Sequence, residues 1–214
     1  YVQAVLLNKL EVPYAAKRFE EIWERYCSWH KVDKKYKAWG KVGEKIIQYI
    51  KGFLFSKFGK YIVKHVEYKI EHQLENFTQR FKGYIDLVLE LENGDIVIVD
   101  IKTAGSAFFF NRYRDKIKDY QITLYKKFYG EIEKIEADKI STVFLVFEKD
   151  AESKTPIVLI PVGSGEVKIS NAEDWLRLSL ININKNLFLK NKTSCLKFGE
   201  KHACQFFKSD HCPK

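Results

Sequence analysis

No apolar run in this 214-residue chain approaches the roughly 20 residues that a membrane-spanning helix needs, so no membrane association is expected. Nor does a basic stretch followed by a short apolar segment open the sequence, which argues against a signal peptide. A cytoplasmic protein is expected, or one of the host cytoplasm if a phage encodes it. Internal repeats and low-complexity tracts are missing, which excludes a solenoid or a biased linker. Methionine is absent altogether, and the sequence offers no functional reason for that. Cysteine is scarce: Cys27, Cys195, Cys204 and Cys212. Three of these four fall within the last 20 residues, which is not a random scatter. Without a secretory signal, disulfides are disfavoured and a metal or cluster site is favoured.

What is present is a chain long enough for one domain with extensions. Lys and Arg number 37 against 28 Asp and Glu, a formal net charge of +9. That balance suits a polyanionic partner, because each phosphate contact releases condensed counterions. It equally describes an ordinary Lys- and Ile-rich surface, so the charge alone does not choose.

The first third reads as helical. Residues 14–30 place Phe19, Ile22, Trp23 and Tyr26 at helical spacing, and residues 40–58 do the same with Ile46, Ile47, Ile50, Phe53 and Leu54. Residues 61–71 then alternate apolar and polar, as a half-buried strand does. Residues 81–92 and 95–102 read as two strands joined by Asn93-Gly94, a hairpin signal that predicts a type I′ turn. The second of these is almost continuously apolar and is expected to be central. A helix over 113–130 carries Ile117, Tyr120, Leu124 and Phe128 on one face. Strands follow at 140–148 and 156–162, then a helix over 171–189 with Trp175, Leu178, Ile181 and Leu189 as core candidates. The reading is α/β (α+β): helices, then a mixed sheet of about five strands with a helix between the third and fourth.

Three polar residues interrupt the apolar hairpin. Asp86 breaks the first strand, while Asp100 and Lys102 sit near the end of the second. Residues two apart on a strand share a face, so Asp100 and Lys102 do. The Asn-Gly turn brings Asp86 towards them. Two crowded carboxylates repel, and burial adds desolvation, so a divalent cation would relieve both. Mg²⁺ takes one or two carboxylates and leaves positions for water and phosphate oxygens. Taken alone, the same residues also read as a salt bridge with a solvent-facing aspartate.

The motifs stand in a further order. Gly83, Tyr84, Ile85 and Asp86 are followed by Asp100, Ile101, Lys102 and Thr103, and then by Gln121 and Tyr125 one helical turn apart. This set resembles the PD-(D/E)XK nuclease superfamily, and within it the RecB-like branch, including phage, AddB-type and CRISPR-associated nucleases. The resemblance implies a restriction-endonuclease-like core and one domain over 1–214: helices to residue 60, the sheet core over 61–165, and a C-terminal helix with a cysteine tail over 166–214. It implies phosphodiester hydrolysis of DNA with Mg²⁺ or Mn²⁺ held by Glu44, Asp86, Asp100 and the carbonyl of Ile101. Glu44 lies where such nucleases carry a Glu or His after a glycine, here Gly40-Lys-Val-Gly-Glu44; Glu67 is a second acidic candidate. Lys102 would position the attacking water, with Gln121 and Tyr125 orienting the lysine or the substrate.

Some RecB-like nucleases hold a [4Fe-4S] cluster on one early and three late cysteines, so the resemblance implies such a cluster on Cys27, Cys195, Cys204 and Cys212. Zn²⁺ is the alternative, with His202 and His211 available. The stretch 105–118 combines phenylalanines with Arg112, Tyr113, Arg114, Lys116 and Lys118, a mixture that can stack unpaired bases and track phosphates. The expected substrate is therefore DNA, single-stranded or with an end, cut by an exonuclease in recombination, repair, phage DNA processing or CRISPR adaptation, within a larger complex in some of these. The rival expectations are a non-catalytic or complex-dependent DNA-binding subunit and a structure-specific endonuclease.

Overall fold

The computed structural model describes residues 1–149 and 156–187, the side chains of residues 34 and 35 excepted. Residues 1–173 form one unit, and a second begins at Asp174. The first unit opens with α1 (Val2–Leu6), α2 (Val12–Trp29), α3 (Lys34–Lys37) and α4 (Trp39–Phe58). Next come β1 (Tyr61–Gln73), β2 (Arg80–Leu91) and β3 (Ile96–Ala104), then α5 (Ala107–Arg112), α6 (Lys116–Glu133), β4 (Ile140–Glu148) and β5 (Ile157–Val162). Helix α7 (Glu166–Asn184) starts in this unit and continues into the second. Among the described residues no helix is long and apolar enough to cross a membrane.

The five strands form one mixed sheet in the order β1-β2-β3-β4-β5. Only β3 and β4 run parallel; the other neighbours are antiparallel. The α5–α6 segment supplies the long crossover that a parallel pair requires. Strand β3 is central, and Ile96 through Asp100 are all buried, as its apolar run predicts. One core gathers Ile46, Ile47, Ile50 and Leu54 of α4 against Leu87, Leu89, Val97 and Val99 on one sheet face. Helix α6 brings the buried Leu124, Phe128 and Tyr129, with the rings of Phe128 and Tyr129 against His72 and Tyr68 of β1.

The expected helices and strands are present, with four local corrections. The β2–β3 turn is not type I′: Gly94 alone has positive φ (83°), and Gly94 N–H donates to Leu91 O at 2.9 Å. Asn93 instead accepts from Asp95 N–H through Oδ1, which satisfies the turn without placing Asn93 in the left-handed region. The predicted stripe on α2 is only half buried, since Ile22 and Tyr26 are exposed while Ala15, Ala16 and Cys27 are buried. Small residues there let the helix sit close. The expected helix over 113–130 is α6, which starts at Lys116 because Asp115 caps it by accepting from Ile117 N–H; the short α5 precedes it unpredicted, and Ile117 is exposed. On α7, Trp175, Leu178 and Ile181 are exposed rather than core, Leu178 by 61%; Leu189 lies outside the described residues.

Candidate active site

The regular β2–β3 ladder runs only from Glu90↔Ile96 to Leu87↔Val99. The next step would set Asp86 opposite Asp100. There the Asp86 carboxylate takes over, its Oδ2 accepting from Ile101 N–H at 2.6 Å. A side chain thus stands where a strand carbonyl would.

The cause is a slip in side-chain alternation. Phe81 packs on Tyr125 and Phe128 of α6, and Gly83 faces Tyr125 as well. Leu87 and Leu89, also odd-numbered, belong to the core on the opposite face. An unbroken strand keeps residues two apart on one face, so the alternation changes between Ile85 and Leu87. On β1 the change falls between Val66, packed on the α4-side core, and Tyr68, against Tyr129 of α6. Glu67, the residue between them, has φ of +52°. Its Oε1 accepts from Gln3 Nε2 at 2.5 Å, and the same amide reaches Asp86 O at 3.5 Å.

Asp100 and Lys102 lie on the α6 face, as period two requires. Lys102 Nζ meets Asp100 Oδ2 at 2.6 Å. Asp100 is 3% exposed, and apart from the Lys102 ammonium this oxygen has no partner among the described residues. Burial pushes the Asp100 carboxyl above its ordinary pKa despite the Lys102 ammonium. Burial also raises Asp86, against the pull of the Ile101 N–H and with help from the Asp100 charge. Two carboxylates that resist ionisation side by side are the electrostatic pattern of a cation site. Among the described residues, however, no three His, Cys, Asp or Glu side chains are grouped as metal ligands.

Gln121 and Tyr125 of α6 stand over the same face. Gln121 Nε2 donates to Tyr125 Oη at 2.9 Å. Burial raises the Tyr125 pKa, and the Asp100 and Asp86 charges add to that, so the group stays a phenol. A Cβ on Gly83 would lie 2.6 Å from Tyr125 Cε1. The glycine that precedes Asp86 by three residues therefore makes room for the tyrosine, a link between two motifs that the sequence reading left apart.

Not every expected residue joins this cluster. Glu44, half-buried on α4, accepts from Gln48 Nε2 at 2.9 Å and is not gathered with Asp86 and Asp100 into a three-ligand set. The glycines ahead of it serve packing: Cβ atoms at Gly40 and Gly43 would strike Trp23 and Phe19 of α2 at 2.7 and 2.1 Å. Arg114 is held inside, ion-paired to Asp119 and 5.3 Å from the Phe144 ring, with its side chain 15% exposed. Arg112, Tyr113 and Lys116 are exposed, and so are Phe108 and Phe109, with Tyr113 stacked on Phe109. Lys118 links this surface to the cluster, since it lies over Phe110 at 5.1 Å and acts electrostatically on Asp100. Cys27 is a buried free thiol on α2, while Cys195, Cys204 and Cys212, like His202 and His211, lie outside the described residues.

No curated protein matches the chain. Among solved structures it is similar to SSO0001 (16% identity, 73% of this chain and 70% of that one covered, TM-score 0.37) and to a candidate exonuclease from Eubacterium rectale (16% identity, 83% and 67% covered, TM-score 0.48). The sequence model of one family matches residues 4–209, a span that takes in Glu44, the Asp86–Asp100–Lys102 cluster and the Gln121–Tyr125 pair. The chain belongs to the PD-(D/E)XK nuclease superfamily.

Proposed function

We propose that this nuclease is a Mg²⁺- or Mn²⁺-dependent deoxyribonuclease of the RecB-like branch, acting as an exonuclease on single-stranded DNA or DNA ends. The observation that carries the reading is the convergence of Asp86, Asp100 and Lys102, with Gln121 and Tyr125 above them, where the β2–β3 ladder stops. The donors fit a hard divalent cation: two carboxylates disfavoured as buried anions, and the carbonyl of Ile101, the residue after Asp100. Asp86, Asp100 and Ile101 would hold it, with Glu44 as a further ligand in the RecB-like pattern. When bound, such an ion activates water and offsets charge developing on the phosphate.

The chain's own groups do the rest. Lys102, with its side chain 26% exposed and its ammonium on Asp100, is the donor that orients the attacking water and the phosphate oxygen. Asp100 fixes that ammonium. Tyr125, braced by Gln121, limits where the substrate backbone can lie. Arg112, Tyr113 and Lys116 of the exposed α5 surface track and stack an unpaired strand, while Arg114 acts by fixing α5 against α6.

Residues 1–214 act as a single nuclease domain in this reading, cytoplasmic or in a phage host's cytoplasm, in some settings within a recombination or CRISPR complex. The cysteines Cys27, Cys195, Cys204 and Cys212 carry a structural [4Fe-4S] cluster, or Zn²⁺ instead. The test is digestion of end-labelled DNA, single- and double-stranded, linear and circular, with and without Mg²⁺ or Mn²⁺. Metal-dependent loss of linear single strands is expected, abolished by Asp100→Ala and Lys102→Ala. Full activity in both variants, or cleavage indifferent to metal, would overturn the proposal.

A further inference from the structure

On the α4 face of the sheet a cavity of about 530 Å³ reaches the candidate site from behind. Its walls are Phe19 and Trp23 of α2, Trp39 at the start of α4, and Asp86, Ile101 and Thr103 from the splayed strand ends. The volume is within the roughly 300–1,000 Å³ of sites for small molecules, and the lining is mainly apolar and aromatic, with Gln3, Asp86, Thr103, Glu148 and Lys149 among its polar side chains. Asp86 and Ile101 belong to both the cavity and the candidate phosphodiester site, so the two meet where the β2–β3 ladder stops. At the rim, Lys149 Nζ lies 4.7 Å from the centre of the Trp39 ring.

We propose that this cavity receives one unpaired nucleobase of the DNA strand whose phosphate lies at Asp86 and Asp100, stacked on Trp39. The base takes the place over the indole that the Lys149 ammonium holds without substrate. Lysine's flexible stem lets that ammonium swing to the adjoining phosphate, so a cation–π contact is exchanged for base stacking plus a phosphate contact. A base-paired nucleotide cannot enter, because its Watson–Crick edge and stacked faces are occupied. The cavity therefore makes the site selective for unpaired strands. It extends the proposed deoxyribonuclease function and rests on it, with Trp39 as a binding residue that acts on specificity rather than on the bond.

Two measurements on the full chain test this. The first is the binding of single-stranded oligonucleotides in chelator, read by the fluorescence anisotropy of a dye on the oligonucleotide, for wild type, Trp39→Phe and Trp39→Ala. The second is cleavage by the wild-type protein of strands carrying one abasic position, moved one nucleotide at a time past the labelled end. Removing the stack should weaken binding roughly tenfold to a hundredfold in Trp39→Ala, with Trp39→Phe close to wild type. One abasic position beside the scissile phosphate should raise KM by a similar factor with little change in kcat. Equal binding by all three proteins, or cleavage indifferent to every abasic position, overturns the base site while leaving the nuclease reading intact. No cleavage of any DNA, with Trp39-dependent binding retained, would overturn the nuclease reading and leave the base site standing. If Trp39→Ala fails to fold, the abasic series with the wild-type protein still decides.

Discussion

Gly83 and Tyr125 occupy one another's space. A Cβ at position 83 would sit 2.6 Å from Tyr125 Cε1 and 3.2 Å from its hydroxyl. Overpacking of this kind typically costs about 1–3 kcal/mol. Gly83→Ala should therefore lower stability by that order and move the phenol off Gln121, reducing kcat. In a Tyr125→Ala background the same change should cost much less. Urea unfolding of the double-mutant cycle checks this, and strictly additive effects would contradict the contact.

Lys102 and Asp100 should separate chemically. Lys102→Ala removes a donor aimed at developing charge and is expected to lower kcat about 10²–10³-fold with the fold intact. Asp100→Asn should abolish cleavage and also the rise in Tm that Mg²⁺ or Mn²⁺ gives the wild-type protein, because a ligand stabilises only through the state that binds it. Melting curves with and without metal distinguish the two variants.

The buried aspartates predict an unusual pH dependence. Burial raises the carboxyl pKa of Asp86 and Asp100, so the folded chain takes up protons there before the unfolded chain does. Each works against folding at neutral pH, and that cost is relieved as pH falls through the raised folded values. Asp119 has the opposite sign: burial pushes it up, but Arg114 and Lys168 outweigh this, so its contribution is lost as pH falls through its lowered value. In chelator, an Asp86→Asn/Asp100→Asn double variant should melt above wild type at neutral pH, with the gap closing on acidification. A gap that widens instead would contradict the raised values.

The three basic positions near α5, Arg112, Arg114 and Lys116, should divide. Arg114→Ala breaks a largely buried ion pair with Asp119, which keeps Lys168 as a partner, and is expected to cost about 1–3 kcal/mol of stability. Arg112→Ala and Lys116→Ala should leave Tm unchanged, weaken DNA binding, and each lower the salt slope of binding by somewhat under one unit. Thermal melts beside salt titrations of oligonucleotide binding resolve the difference.

The cysteines make a visible prediction. An anaerobic preparation should be brown, with iron and sulfide by analysis, and Cys27→Ser should lose both colour and iron. A colourless protein with stoichiometric zinc would favour the zinc alternative.

The linear pattern by itself determined the element order, the central hairpin and the pairing of motifs across it. These follow from local rules: period two put Asp100 beside Lys102, and one helical turn put Gln121 beside Tyr125. The tertiary structure alone decided what those residues meet. The alternation slip at Asp86 and Glu67 defeats period-two reasoning, because strand partners and two different cores pull on the two ends of the same strand. Arg114 read as a surface cation until Asp119 and Phe144 enclosed it. The role of Gly83 needed Tyr125, 42 positions away by sequence number, and the cavity behind Asp86 needed α2 and α4 to close over the sheet. Periodicity reports which face a residue prefers; only packing between distant segments fixes what stands opposite it.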